Sequence, residues 1–360
     1  MKNLKGACIF GQSGGPTSVI NSSAAGVFIE ALKQENITNV YGASHGIRGI
    51  LDEKFYLINE EDMSELELLK YTPSSALGSV RYKLKNFEDD PTDYNRLLEV
   101  FKKYDIRYFF YNGGNDSMDT CNKISKFMKN SGYDCNVIGV PKTIDNDLFG
   151  TDHCPGYGSA AKYIATTLME INLDASVYDT GLVCIIEVMG RNAGWLTAAA
   201  ALANYKNLGA DLIYLPEVPF DVDKFISDVK AVCDKKHNKC IAVVSEGIKT
   251  KEGKYVGEFT ASTTDLFGHA QLGGVGAMLA NIVKEKLGVK TRSIEFSLMQ
   301  RCAAHLASKV DVEEAFEAGS AAVRYACEGE TDKMVIFERQ KGDKYVMEPV
   351  LMPLEKAANT

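Results

Sequence analysis

Gly11-Gln12-Ser13-Gly14-Gly15-Pro16-Thr17 directly follows a short apolar run, Ala7 to Gly11, and precedes a helical run. A run of successive apolar residues is typical of a strand that is covered on both faces. A glycine pair between a strand and a helix lets the backbone approach an anion closely, and a helix start offers free N–H groups. The alternative is an ordinary tight turn. The stretch matches neither GxxxxGK[ST] nor GxGxxG, which argues against a P-loop or dinucleotide-binding protein.

Apolar, strand-like runs recur along the chain and alternate with longer amphipathic segments. This alternation predicts an α/β fold with mostly parallel, doubly wound sheets. In such sheets ligands bind beyond the carboxyl ends of the strands. The predicted strands are Ala7 to Gly11, Tyr108 to Gly114, Val137 to Pro141, Leu182 to Gly190, Leu212 to Pro216 and Ile241 to Gly247; the predicted helices are Thr92 to Tyr104, Ser117 to Lys129, Asp221 to Lys236 and Gly273 to Leu287; Lys333 to Met352 reads as a hairpin.

Length and composition narrow the class of protein. With 360 residues, 45% hydrophobic and 24% charged, the chain is expected to form two globular lobes. The formal net charge of -8 argues against nucleic acid or an anionic membrane as a partner. Nine cysteines without a CxxC pair argue against a zinc site or a disulfide framework. No signal-like or membrane-spanning apolar segment is evident, so we expect a cytoplasmic protein.

Two further polar loops follow predicted strands. The first, GGNDS, places the Asp116 carboxylate in a glycine-rich turn, where a phosphate pocket needs a cation or a metal for balance. Lys142, in the second loop, is a candidate for that balance. The alternatives are that Asp116 or Ser117 caps the following helix, and that Lys142 is a solvated surface residue.

The second loop continues as Thr143-Ile144-Asp145-Asn146-Asp147. In extended chain, two carboxylates two residues apart point to the same side. A hydroxyl that attacks phosphorus must lose a proton, and a positioned carboxylate can accept it. The alternative, favoured for this short motif taken alone, is a cluster of local side-chain turns.

Three later motifs add arginines and a carboxylate. Arg191, in MGRNAGW, is predicted to lie at a helix start. A solvent-exposed arginine there would be repelled by the helix dipole, so this position indicates a phosphate ligand. Glu246, in SEG, is predicted to accept hydrogen bonds from sugar hydroxyls or to cap a helix. Arg292 and Arg301, the latter preceded by Gln300, flank a strand-like run and suit a bidentate sugar-phosphate clamp.

In this order, GGP, GGNDS, PKTIDND, MGRNAGW, SEG and the two arginines resemble the phosphofructokinase family over nearly the whole chain. The resemblance implies two doubly wound lobes with the active site between them. It also implies these roles: Gly14, Gly15, Arg81, Asp116, Ser117 and Lys142 bind or select the phosphoryl donor; Asp145 is the catalytic base beside Thr143 and Asp147; Arg191 stabilises the transferring phosphoryl; Met189, Gly190, Glu246, Gln300 and Arg301 hold fructose 6-phosphate; and Arg292 is lent by a neighbouring subunit.

Two residues predict the phosphoryl donor. ATP-using members resemble GGDGS and PGTIDND, whereas this chain has Asp116 and Lys142 at the two glycine positions, which is the pattern of pyrophosphate-using members. A carboxylate about 4 Å from the α-phosphate of ATP would cost about 4 kcal/mol at an effective dielectric constant near 20. We therefore expect pyrophosphate as donor, with Lys142 offsetting charge on the leaving phosphate.

The chain departs from the family pattern at several positions, among them a metal-site position and a sugar-site position. The magnesium-binding aspartate of GGD is Asn115 here, so Mg²⁺ is expected at Asn115 and Asp147, or on pyrophosphate and water. The sugar-site histidine of ATP-using members falls at Leu298. Sugar-phosphate contacts are expected to differ there.

The predicted domain pattern is discontinuous. Residues 1–150 with 268–305 form the donor lobe, 151–267 with 306–330 form the fructose 6-phosphate lobe, and 331–360 form a peripheral hairpin. Sharing of Arg292 implies a homodimer or homotetramer. The alternatives to a pyrophosphate enzyme are an ATP-dependent phosphofructokinase and a regulatory subunit without activity; the latter is expected to lack Asp145 or Arg191, and both are present.

Overall fold

The computed structural model describes residues 4–259 and 274–358. Within these ranges, five short 3₁₀ helices lie at Ile58–Glu60, Leu69–Tyr71, Ala200–Lys206, Val256–Phe259 and Ala304–Leu306. The strands are β1 Gly6–Gln12, β2 Ile37–Ala43, β3 Phe55–Leu57, β4 Ile106–Gly113, β5 Asn136–Pro141, β6 Val183–Val188, β7 Leu212–Tyr214, β8 Cys240–Ser245, β9 Thr291–Glu295, β10 Lys333–Arg339 and β11 Met347–Pro353. The α-helices are α1 Ile20–Ala31, α2 Gly46–Leu51, α3 Met63–Leu68, α4 Thr92–Lys103, α5 Asn115–Asn130, α6 Tyr157–Ala175, α7 Trp195–Ala199, α8 Val222–Lys235, α9 Val275–Leu287, α10 Met299–Cys302, α11 Lys309–Cys327 and α12 Leu354–Ala357.

The α/β prediction is confirmed. Every predicted strand is present, and the C-terminal hairpin is the antiparallel pair β10 and β11. The predicted helices are α4, α5, α8 and α9; the predicted start of the last, Gly273, lies outside the described residues. Strands β2 and β3 and helices α6 and α11 were not among the predicted elements. None of the helices in residues 4–259 and 274–358 is long and apolar enough to cross a membrane.

The chain forms two compact units. Unit 1 comprises residues up to Gly158 and from Ala307 onward, and unit 2 comprises Ser159 to Leu306. Unit 1 contains a seven-stranded sheet in the order β11-β10-β5-β4-β1-β2-β3. Strands β10, β5, β4, β1 and β2 are parallel, and β11 and β3 are antiparallel edges.

Both faces of the unit 1 sheet are covered by helices. Ile9 on β1 belongs to a core with α4 and α5, whereas the next residue, Phe10, belongs to a core with α1 and α11. Successive side chains of a strand point to opposite faces, so an apolar run such as β1 needs cover on both sides. All seven residues of β1 are buried.

Helices α1 and α11 cross at two glycines. A Cβ atom on Gly26 would lie 2.0 Å from the carbonyl oxygen of Phe316, and one on Gly319 would lie 2.1 Å from the carbonyl oxygen of Ser23. No side chain fits at either position. This close approach attaches α11, which is distant in sequence, to unit 1.

Unit 2 contains a four-stranded parallel sheet in the order β7-β8-β6-β9. Phe225 and Val229 of α8 and Leu279 and Val283 of α9 pack against one face of it. The carboxyl ends of β6 and β8 are neighbours, because Val188 pairs with Ser245. The loops after these two strands therefore meet.

The predicted division of the chain is wrong in four places. The described part of 268–305 lies in unit 2, because β9 pairs with β6. The segment 307–330 lies in unit 1, because α11 packs on α1. The hairpin is an edge of the main sheet rather than a peripheral addition, because β10 pairs with β5. The first boundary falls after Gly158 instead of at residue 150.

Candidate active site

The glycine turn of unit 1 is held by a neighbouring segment. Gly14 has a φ of 74°, in the left-handed region that glycine adopts at little cost. Its N–H donates to the carbonyl of Val80 over 3.3 Å, and its carbonyl accepts from the Ser79 hydroxyl over 2.6 Å. Helix α1 begins only at Ile20, so the expected direct link between the glycine pair and a helix start is wrong. Any backbone contact to an anion would therefore come from the turn itself and not from the first turn of α1.

Arg81 follows this segment directly. Its side chain is exposed, and the residue before it, Val80, is bonded to the glycine turn. The backbone of Arg81 therefore lies one residue from the hydrogen bond between Val80 and Gly14.

Lys142 is buried, with 4% of its surface exposed. Its Nζ donates to the carbonyl oxygen of Gly15 over 2.7 Å, and its backbone N–H donates to the carbonyl of Gly113 over 3.0 Å. The alternative of a solvated surface lysine is therefore wrong. The residue joins the loops after β1, β4 and β5, and a cation held in this way at a glycine turn favours an anionic ligand.

Asp116 lies in the first turn of α5 and is exposed. The N-cap of this helix is Gly114, with no side-chain cap, and Ser117 is buried with its N–H bonded to the carbonyl of Gly114 over 3.0 Å. Neither Asp116 nor Ser117 is therefore the cap. A negatively charged side chain in a first helical turn interacts favourably with the helix dipole.

The loop after β5 is a turn rather than an extended chain. The Thr143 hydroxyl accepts from the N–H of Asp145 over 3.1 Å, and Asn146 has a φ of 57°. The premise that placed both carboxylates on one side of an extended chain is therefore wrong, and local side-chain turns are present as the alternative predicted. Asp145 is partly buried and Asp147 is exposed.

Two asparagines contain buried polar atoms without a hydrogen-bond partner among the described residues. They are Oδ1 and Nδ2 of Asn112, which is fully buried at the end of β4, and Oδ1 of Asn115. Sequence reasoning missed Asn112, although an amide at the end of the apolar run YFFYN was a detectable signal. Buried polar atoms of this kind call for an unseen partner.

In unit 2, the loops after β6 and β8 are bonded together. Oε1 of Glu246 accepts from the N–H of Gly190 over 3.3 Å, and Oε1 of Gln300, which is 2% exposed, accepts from the N–H of Met189 over 3.2 Å. Gly190 has a φ of 129°, which excludes other residue types. Glu246 is not a helix cap, because the next helical turn begins at Val256.

Arg191 lies in the loop and not at a helix start, since α7 begins at Trp195. A Cβ atom on Gly247 would lie 2.0 Å from the carbonyl oxygen of Arg191. The glycine of SEG thus lets the main chain of Arg191 pass close to the end of β8. Arg191 and Glu246 are brought to one edge of the unit 2 sheet.

Arg292 is not part of that group within one chain. It is exposed on β9 opposite Cys184, at the amino end of β6. The edge that holds Glu246 is about 13 Å away, for four residues of strand at about 3.3 Å each. Arg301 follows Gln300 on α10, and the exposed Leu298 precedes that helix.

Glu187 was missed by sequence reasoning. It is 2% exposed within β6, and its Oε2 accepts from the N–H of Gly276 at the start of α9 over 2.8 Å. Burial raises the pKa of this carboxyl, and the bond from Gly276 opposes that rise. A single acid inside the apolar run VCIIEVMG was the available signal.

The fold and these loops define an α/β protein with glycine-containing polar loops at the carboxyl ends of parallel strands. A sequence profile of the family Phosphofructokinase matches residues 8–326. The pyrophosphate--fructose 6-phosphate 1-phosphotransferase of Xanthomonas campestris pv. campestris is 46% identical over 357 residues, covering 98% of this chain and 84% of the relative. The protein of the same name from Halomonas elongata is 44% identical over 355 residues, covering 97% and 84%. This chain belongs to the phosphofructokinase family.

A solved structure agrees with this assignment. The crystal structure of a pyrophosphate-dependent phosphofructokinase from Nitrosospira multiformis superposes with a TM-score of 0.87 at 41% identity, covering 98% of this chain and 84% of that one. The two-unit doubly wound fold is therefore that of the family.

Proposed function

We propose that this chain transfers a phosphoryl group from pyrophosphate to the 1-hydroxyl of fructose 6-phosphate, giving fructose 1,6-bisphosphate and phosphate. The names of the relatives with 44–46% identity support the reaction. The observation that carries the choice of donor is the buried Lys142, bonded to the carbonyl of Gly15 beside the glycine turn. The chemistry is reversible, because pyrophosphate is spent without the larger fall in free energy associated with ATP.

Donor selection is assigned to Asp116 and Lys142. Lys142 contacts pyrophosphate and offsets the charge on the leaving phosphate, together with the backbone of Gly14 and Gly15 and the exposed Arg81. Asp116 opposes the α-phosphate of ATP. Because Asp116 is exposed, its repulsion lies between about 1 kcal/mol in water and about 4 kcal/mol at an effective dielectric constant of 20.

Catalysis is assigned to Asp145, Thr143 and Arg191. The 1-hydroxyl oxygen forms the new bond to phosphorus while the bridging P–O bond of pyrophosphate breaks, and the hydroxyl proton passes to the Asp145 carboxylate. Thr143 accepts from the N–H of Asp145 and so orients that residue. Arg191 stabilises the charge on the transferring group.

The sugar phosphate is assigned to unit 2. Glu246 accepts hydrogen bonds from sugar hydroxyls, next to Met189 and Gly190. Arg301 holds the 6-phosphate, and Leu298 lies where other members use a histidine. Arg292, apart from this edge in its own chain, serves a neighbouring subunit of a homodimer or homotetramer.

Mg²⁺ is the expected metal. The described residues include no group of three or more His, Cys, Asp or Glu side chains that could hold a metal. Mg²⁺ usually binds few protein oxygens and completes its shell with phosphates and water. The unpartnered buried Oδ1 of Asn115 fits that donor set, and Asp147 is the second assigned residue. When bound, the ion would neutralise charge on pyrophosphate. We further propose that the protein acts in the cytoplasm and binds neither nucleic acid nor membrane.

The test is the initial rate of fructose 1,6-bisphosphate formation with magnesium and either pyrophosphate or ATP as sole donor. Turnover with pyrophosphate alone supports the proposal. Turnover with ATP alone would establish an ATP-dependent phosphofructokinase and remove the roles of Asp116 and Lys142. A silent enzyme with both donors would favour a non-catalytic subunit or another sugar phosphate, such as sedoheptulose 7-phosphate.

A further inference from the structure

Residues 151–156, here called the brace, hold the loop that contains Asp145. The backbone N–H of Thr143 donates to the carbonyl of Pro155 over 3.3 Å. The N–H of Cys154 donates to Oδ1 of Asn146 over 2.8 Å. The brace therefore contacts the loop on both sides of Asp145.

The brace is in turn fixed to two distant elements of unit 1. The N–H of Gly156 donates to Oδ1 of Asp311 on α11 over 2.9 Å, and Asp311 is 3% exposed. The N–H of Phe337 on β10 donates to the Thr151 hydroxyl over 3.0 Å, and its carbonyl accepts from the N–H of Asp152 over 2.9 Å.

His153 lies at the centre of these contacts. Its Nδ1 is 3.0 Å from Oδ1 of Asp152, its Nε2 is 2.7 Å from Oε2 of Glu314 on α11, and its ring stacks on Phe337 at 5.4 Å. Carboxylate oxygens only accept hydrogen bonds, so both ring nitrogens must donate. The imidazolium form alone has two N–H groups.

The hairpin completes the surroundings of His153. The Tyr345 hydroxyl donates to Oε1 of Glu314 over 2.6 Å, and Arg339 lies over the Tyr345 ring at 5.3 Å. Burial lowers the pKa of His153, but the bonds to Glu314 and Asp152 more than offset it, so that the pKa is raised. The charged His153 ring thus contacts Asp152 of the brace and Glu314 of α11, and Glu314 in turn contacts Tyr345 of the hairpin.

We propose that His153 is a positioning residue for phosphoryl transfer: its imidazolium, held between Asp152 and Glu314, fixes the brace and thereby the orientation of Asp145. This inference rests on the proposed function, because it assigns Asp145 the role of base. A displacement of the base lowers turnover without removing any substrate contact.

The proposal has a defined pH dependence. The folded-state pKa of His153 is raised, so the stabilisation by its charge is complete below the unfolded value of about 6.5. It is lost as the pH rises through the folded-state pKa. The brace is therefore tightest at the acidic end and loosens toward alkaline pH.

The test compares wild type with His153→Gln, which has one donor nitrogen in place of two and carries no charge. At pH 6.5 we expect kcat with pyrophosphate to fall about tenfold, while KM for both substrates changes less than about twofold. The ratio of wild-type to variant kcat should shrink toward one as the pH rises. His237→Asn is the matched control, since His237 is exposed in unit 2 and its φ of 51° suits asparagine.

A second variant, Glu314→Gln, removes the other partner of the pair. We expect the same fall in kcat, and the double variant should be no worse than either single variant. Hydrogen exchange at the Cys154 amide should speed up in both variants, a readout that does not need turnover.

The outcomes separate the two ideas. A wild-type enzyme without pyrophosphate activity overturns the proposed function and the catalytic consequence drawn from it. An active wild type whose kcat is unchanged in His153→Gln overturns the positioning role alone. A kcat ratio that stays constant with pH, accompanied only by a lower Tm, reduces His153 to a structural residue and also overturns the proposal.

Discussion

The ammonium group of Lys142 donates a 2.7 Å hydrogen bond to the main-chain carbonyl of Gly15. This bond ties the loop after β5 to the turn after β1 and buries a cation beside that glycine turn. Preorganised charge of this kind contributes to phosphoryl transfer because it need not be reorganised during the reaction.

Lys142→Met retains the apolar stem and removes the charge. We expect kcat with pyrophosphate to fall by a factor of about 100 or more, because the leaving phosphate loses its balancing cation. Steady-state kinetics measures it. Lys126→Met, on the exposed side of α5, is the control and should be neutral. A change confined to KM would mean that Lys142 only binds substrate.

Asp116→Gly should allow ATP to be used. Removing about 1 to 4 kcal/mol of repulsion predicts a gain in kcat/KM for ATP between roughly 5-fold and 1000-fold. Rates with each donor give the ratio. Asp223→Gly removes an equivalent first-turn acid from α8 in unit 2 and controls for loss of the helix-dipole interaction. Absence of any ATP activity would show that another feature excludes the nucleotide.

Asp145→Ala should lower turnover by a factor of at least about 100, the usual effect of losing a general base. Binding of fructose 6-phosphate, measured by calorimetry, should remain close to wild type. Near-normal turnover would remove Asp145 from its role.

Glu246→Gln keeps the carbonyl that accepts from Gly190 and removes the negative charge. We expect KM for fructose 6-phosphate to rise about tenfold, since hydrogen bonds to a charged acceptor are stronger than those to a neutral one. Glu217→Gln is the control, because Glu217 also accepts from a glycine N–H, that of Gly194, over 2.6 Å. Equal effects in both variants would indicate a loop-stability effect.

Gly26→Ala should destabilise the fold. The added Cβ would lie 2.0 Å from the Phe316 carbonyl, and separating α1 from α11 is expected to cost about 1–3 kcal/mol or more. Urea denaturation measures the free energy of unfolding. In a helix free of that contact, the same change would stabilise the fold by about 0.5–1 kcal/mol. A stabilised Gly26→Ala variant would therefore contradict the close contact between α1 and α11.

Most of the local structure follows from the sequence. Strand β1, the glycine turn and helices α4, α5 and α8 follow from apolar runs and from helical amphipathicity, which are properties of neighbouring residues. The polar loops at strand ends, with Asp116, Lys142 and Asp145, were likewise evident because parallel sheets place ligands there.

Long-range packing decided the rest. The sequence could not assign α11 to unit 1 or β9 to unit 2, because these depend on a glycine-to-backbone contact with α1 and on pairing with β6. Nor could it show that Lys142 is buried against Gly15 or that His153 also contacts Glu314, since these partners lie far along the chain. Residue type and local pattern determined the chemistry available, and tertiary contacts determined which of those groups are desolvated and held in place.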